Sequence, residues 1–171
     1  LDIIAEDLSD SAAIRGDLRS LINREALVVS SGESKENTTY AMYYDFSEPV
    51  GKIASHRVLA IHRGVKEGIL KASLQLDEEK AVALICRHAV KAKNPCARAA
   101  EEAARDSWKR LIAPSMENET FASLFEAASE QAIKVFAENL HHLLMQPPVK
   151  DRVVLGLDPG YRNGCKLAVV D

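Results

Sequence analysis

The stretch Val153-Val154-Leu155-Gly156-Leu157-Asp158-Pro159-Gly160-Tyr161-Arg162-Asn163-Gly164-Cys165-Lys166-Leu167-Ala168-Val169-Val170-Asp171 joins two short apolar runs through a Pro-Gly and an Asn-Gly. Apolar runs of this length bounded by turn residues predict a β-hairpin. An acidic side chain, Asp158, ends the first run. Two roles are open to it. It can accept backbone N–H bonds as a turn residue, or it can be one of the several carboxylates that two-metal phosphoryl hydrolysis requires. A segment of roughly 20 residues buries too little surface to stand as a domain. The hairpin is therefore expected to open a module that continues past Asp171, and a first residue of Leu suggests a cut from a longer chain.

Upstream, Gln146-Pro147-Pro148 marks the strongest boundary, because proline lacks the helical donor and restricts the residue before it. Ahead of it, Ser115 is expected to cap the longest helix, reaching about Met145. Its apolar stripe of Phe121, Leu124, Phe125, Ala128, Ala132, Val135, Phe136, Leu140 and Leu143 reads as core. A helix capped by Asn94-Pro95 and ending near Pro114 precedes it, and another runs from Asp77 to about Val90, with Glu78 and Glu79 at its positive end. Ile69 to Leu76 is the best strand of the body, with Ala26 to Val29 as its expected partner. Two helices in series cover residues 1–25, the second capped by Ser9 or Asp10. Ser30 to Thr39 reads as loop. Ser47 and Pro49 have the chemistry of a helix start. The expected fold is mainly α, a multi-helix central domain (1–146) with a minor short β element, then a linker (147–151) and the hairpin (152–171).

The 171 residues carry 47% hydrophobic and 27% charged side chains, an ordinary globular composition able to bury a core. A formal net charge of -3 excludes a uniformly basic body, so any surface for phosphates must be local. No apolar run approaches the ~18 residues of a membrane span and no signal-peptide layout is present, which points to a cytoplasmic protein without a membrane partner. Cys86, Cys96 and Cys165 match no zinc or disulfide spacing and read as small buried hydrophobes. His141 and His142 point about 100° apart on a helix, unlike paired metal ligands, and suit a helix C-terminus as cations. No metal site is assigned.

The helix expected to be capped by Ser55, to run to about Glu67 and to end at Gly68 is the second candidate. Val58, Ile61 and Val65 share its apolar face, while His56, Arg63 and Lys66 fall elsewhere and Arg57 lies at one flank. Such a stripe can contact phosphates and make binding salt-sensitive. It can equally be a solvated face, form internal ion pairs, or lock this helix against the next domain.

Four separated motifs then occur in order. Ser55-His56-Arg57 with Arg63-Gly64-Val65-Lys66-Glu67-Gly68 comes first, followed by Trp108-Lys109-Arg110-Leu111-Ile112-Ala113-Pro114-Ser115. Val135-Phe136-Ala137-Glu138-Asn139-Leu140 is third, and Gly156-Leu157-Asp158-Pro159-Gly160 with Arg162 and Gly164 is last. Together they resemble the Tex family of bacterial transcription accessory proteins, and the last also resembles the opening of resolvase-type RNase H-like domains. The resemblance implies a multidomain cytosolic protein whose helical central region precedes an RNase H-like α/β domain, here truncated after its first hairpin, with helix-hairpin-helix and S1 modules beyond. It implies binding of nucleic acid, RNA or DNA, and work beside the transcription machinery. The chain is then expected to act as a helical scaffold, with His56, Arg57, Arg63 and Lys66 as candidate nucleic-acid contacts. Two alternatives are a metal-dependent nuclease in the parent, using Asp158 with Mg or Mn, and a protein-interaction scaffold. The segment alone is expected to hold no cofactor and to be inactive.

Overall fold

The computed structural model describes residues 2–32, 38–89, 97–147, 149–160, 162 and 164–171. The chain divides into two compact units, residues 1–134 and 135–171. In the first, helices α1 (Asp2–Asp10) and α2 (Ala12–Glu25) lead into strand β1 (Leu27–Ser31). Strand β2 (Asp45–Pro49), helix α3 (Ser55–Lys66), strand β3 (Lys71–Gln75) and helix α4 (Glu78–Ala89) follow, then α5 (Ala97–Asp106), a π-helical stretch (Ser107–Ile112) and α6 (Ala113–Leu144). The architecture is mainly α with a minor antiparallel β element, as the sequence implies.

The expected partnership of the two body strands is found: β1 pairs antiparallel with β3, Val28 opposite Leu74 and Ser30 opposite Ala72. On its other side β1 pairs with β2, giving the order β2-β1-β3. Alternation sets the faces. Val28 and Ser30 are buried, with Phe46, Glu48, Ala72 and Leu74 half-buried on the same side, while Asp45, Ser47, Pro49, Lys71, Ser73 and Gln75 are exposed. The Ser30 hydroxyl donates to the carbonyl of Tyr43 at 2.7 Å, which is why a buried serine is tolerated.

The core lies between the sheet and the helices. Ile14, Leu18 and Ile22 of α2 repeat every four residues and meet Ile85 of α4, then Ile112 and Met116, all at most 2% exposed. Ser107, fully buried, donates its hydroxyl to the Ala5 carbonyl at 2.7 Å and ties the π segment to α1.

Several expectations are corrected. Ser47 to Pro49 starts no helix: they end the edge strand β2, where a final proline costs no ladder donor, and a 3-10 turn (Val50–Lys52) follows. Pro114 breaks nothing. The amide of Ala113 donates to the Trp108 carbonyl, so the π register ends just before the residue that has no N–H, and α6 continues through it. Ser115 accordingly is no cap but accepts a hydrogen bond from Arg15 Nη1 at 3.0 Å. Ser11, rather than Ser9 or Asp10, stands at the N-cap of α2, without a side-chain cap bond. Ser9 instead binds Arg15, its carbonyl accepting from Nε at 2.7 Å. Asp77 does cap α4, its Oδ1 accepting from the amide of Glu79 at 3.0 Å. Ser30 and Ser31, expected at the start of a loop, continue β1 instead, and residues 33–37 of that loop, the expected Asn94-Pro95 cap and Cys96 lie outside the described residues.

Three surface carboxylates are held below their ordinary range by a hydrogen-bonded cation: Glu25 by Lys80, Glu79 by Arg105 and Asp106 by Arg110. A depressed carboxylate stabilises the fold above its unfolded pKa, and that contribution is lost as pH falls through the folded value. The triple variant Glu25→Gln, Glu79→Gln, Asp106→Asn should therefore show a shallower fall of Tm with acidification than the parent. Superimposable acid limbs would refute the assignment.

In the second unit, strands β4 (Val154–Asp158) and β5 (Lys166–Val170) form the expected hairpin, with Val154 opposite Val170 and Asp158 opposite Lys166. Gly164 adopts φ 75°, the left-handed conformation that its turn requires. Every residue of both strands is exposed, and so is Cys165, contrary to its reading as a buried hydrophobe. The stripe of α6 has the expected period, but only part of it is core. Ala128 is buried and Phe121 and Leu124 pack on the core, whereas Val135, Phe136, Leu140 and Leu143 remain 42–67% exposed. Periodicity states that a face wants covering and does not say by what.

Candidate nucleic-acid interface on helix α3

Ser55 is the first residue of α3 rather than its cap: the helix begins where the extended Ala54 offers its carbonyl to the amides of Arg57 and Val58. It ends where Gly68, at φ 73°, reverses the chain and the Gly64 carbonyl accepts from the amides of Ile69 and Leu70. Its buried residues are Val58, Ile61 and Gly64. Val65, expected on that face, is 42% exposed. The slot is filled by Gly64 because Leu70 and Tyr40 press so closely there that a Cβ would fall 2.6 Å from Leu70 Cδ1. Burial, with the Glu67 carboxylate beside it, raises the pKa of the Tyr40 phenol, which stays neutral at ordinary pH.

The four predicted contacts separate into two groups. Arg57 is engaged: its Nη1 donates to Glu48 Oε2 at 2.8 Å, and its guanidinium lies 5.9 Å from the centroid of the Phe46 ring. It clamps α3 to the edge strand, the internal ion pair that the sequence left open. His56, Arg63 and Lys66 are exposed and make no ion pair with any described residue. His56 and Arg63, seven apart, stand one above the other on α3, and Arg63 and Lys66 occupy its last turn, where the helix dipole favours cations.

One further residue belongs here. His62, exposed, stacks on Phe125 of α6 with ring centroids 4.0 Å apart and planes 27° from parallel. The pair borders a cleft of about 240 Å³ with Val58, Val65 and Phe121 on its apolar lining and Glu117 and Asn118 among its polar groups. Nothing local in the sequence signals it, because the two rings come from α3 and α6 and meet across 63 residues.

Asp158 lies apart from this surface in the sequence and belongs to the other unit. Its carboxylate is 75% exposed and 4.0 Å from Lys166 Nζ, its cross-strand partner. Among the described residues no three His, Cys, Asp or Glu side chains converge as a metal site would require. None of the described helices is long and apolar enough to cross a membrane.

A helical unit with a three-stranded sheet and a basic helix face, three of whose side chains have no ion pair among the described residues, followed by a hairpin, defines the class. The chain belongs to the Tex family: residues 1–136 match the family model described as "Tex central region-like". It is 42% identical over 174 residues to the Bacillus subtilis protein YdcI and 37% identical over 183 residues to the "Transcriptional accessory protein Tex" of Neisseria gonorrhoeae. Each alignment covers 99% of this chain and 24% of the relative. The human "S1 RNA-binding domain-containing protein 1" is 31% identical over 144 residues, 80% of this chain and 14% of its own length. The chain thus spans about a quarter of the length of the bacterial relatives it matches.

Proposed function

We propose that this chain is the helical scaffold of a cytoplasmic, nucleic-acid-binding transcription accessory protein, and that α3 presents His56, Arg63 and Lys66 to the phosphate backbone. One observation carries the reading. In a chain of net charge -3, three basic side chains share one exposed helix face and none is neutralised by a described acid. Acidic groups in their own chain take up several of the other cations, Arg57, Lys80, Arg105 and Arg110 included. Cations left open are the ones that phosphates can reach without breaking an internal pair. The names of the relatives point the same way, one to transcription and another to RNA. The hairpin, with Asp158 at its tip, fits the start of a further domain that the scaffold would position.

A fluorescence-anisotropy titration with single-stranded RNA and with duplex DNA tests the proposal. Binding should weaken with salt, and Arg63→Glu with Lys66→Glu should flatten the slope of log K against log salt by about 1.4 for single strands, two contacts at about 0.7 each. Affinity and slope that survive the double reversal unchanged would remove α3 from the interface.

A further inference from the structure

We propose that the cleft beside α3 is a pocket for a single unstacked base of a single-stranded nucleic acid, with His62 and Phe125 as its aromatic wall. This rests on the preceding reading of α3 as a phosphate-contacting face and adds the part that reads bases. Proteins that hold single strands combine a cationic track with rings on which bases stack. Both are present here. His62 has one face against Phe125 at 4.0 Å and is exposed, so the stacked pair leaves ring surface on which a base can stack. On the same helix, Lys66 stands one turn beyond His62, and Arg63 is its immediate neighbour. A base against the ring therefore has its phosphates within the reach of two long cationic side chains.

The lining supplies the rest. Val58, Val65 and Phe121 give an apolar floor that favours a flat ring over water. At the cleft Glu117 and Asn118 have no side-chain hydrogen bond or ion pair with described residues. A carboxylate accepts only, and among bases it suits an exocyclic amino group, as in cytosine. Uracil carries a carbonyl oxygen at the position of that amino group and would turn like polarity to Glu117 there. An apolar peptide could fill the same floor, but it would leave the flanking cations and Glu117 without counterparts. The charge arrangement favours a phosphodiester strand.

The test uses the 171-residue chain with three labelled probes: short oligocytidine, oligouridine, and a strand of abasic sugar-phosphate, with RNA and DNA versions of the first two. Oligocytidine should bind more tightly than oligouridine. His62→Ala should weaken base-bearing strands about ten-fold, the scale of one stacked base, and leave the abasic strand unaffected. His62→Phe should keep the affinity, and Glu117→Gln should narrow the cytosine preference. Unchanged oligocytidine binding in His62→Ala, with binding lost on reversal of Arg63 and Lys66, overturns the pocket and leaves the phosphate face standing. If no probe, the abasic strand included, binds the parent chain, the phosphate reading itself has failed. Binding of an apolar helical peptide that His62→Ala abolishes, with oligonucleotide affinity unmoved, assigns the cleft to a protein instead.

Discussion

Leu18→Ala is expected to lower the stability of the first unit by about 2–5 kcal/mol, measured by urea unfolding at constant m-value. Leu18 is 0% exposed in the middle of α2, with Ile14 and Ile22 one turn to either side and equally buried. Removing its branched end takes away the transfer free energy of three carbons and leaves a space whose walls are fixed. The α2 backbone is held by Arg15, which binds Ser9 on one side and Ser115 on the other, so collapse around the gap is restricted. Since domains of this size have about 5–15 kcal/mol of stability in total, the loss is a large fraction of it. A loss under about 1 kcal/mol would mean that the α2 core is far more plastic than its packing implies.

Much of this fold could be read from the residues. The β1–β3 pairing was legible because one segment is a short apolar run and the other alternates apolar and polar residues after Gly68, and the closing hairpin because Pro-Gly and Asn-Gly punctuate it. Where reading failed, a local signal was overridden by a distant partner. Asp45 to Pro49 offers a cap residue and a proline in helix-start order, yet the free edge of β1 recruits it as a strand. Pro114 has the local chemistry of a helix end, yet one π turn absorbs its missing donor. The site divides in the same manner. His56, Arg63 and Lys66 were visible as a face because helical period is local. That Arg57 would be consumed by Glu48, and that His62 would meet Phe125, depends on which strand and which helix flank α3. Sequence spacing carries no such information.

The Gly64 position joins fold and site, and it separates two effects of opposite sign. Exchanging glycine for a side chain in a helix gains up to about 1 kcal/mol from reduced chain entropy. At Gly16 of α2 that gain stands alone, because a Cβ there would meet nothing within 4 Å, so Gly16→Ala should stabilise by roughly 0.5–1 kcal/mol. At Gly64 a Cβ would fall 2.6 and 2.9 Å from Leu70 Cδ1 and Cγ and 3.2 Å from Tyr40 Cδ1. Neither neighbour can yield cheaply, since Leu70 is 3% and Tyr40 8% exposed. Overpacking of this kind costs about 1–3 kcal/mol, and Val adds two methyls while recovering less propensity than Ala. Gly64→Val should therefore destabilise by about 2 kcal/mol. It should also weaken oligonucleotide binding, because relief requires α3 to move away from Leu70 and takes Arg63 and Lys66 with it. Gly64→Val as stable as Gly16→Ala would show that α3 is not seated against Leu70. Loss of stability with unaltered binding would instead free the phosphate-contacting residues from the geometry of this turn.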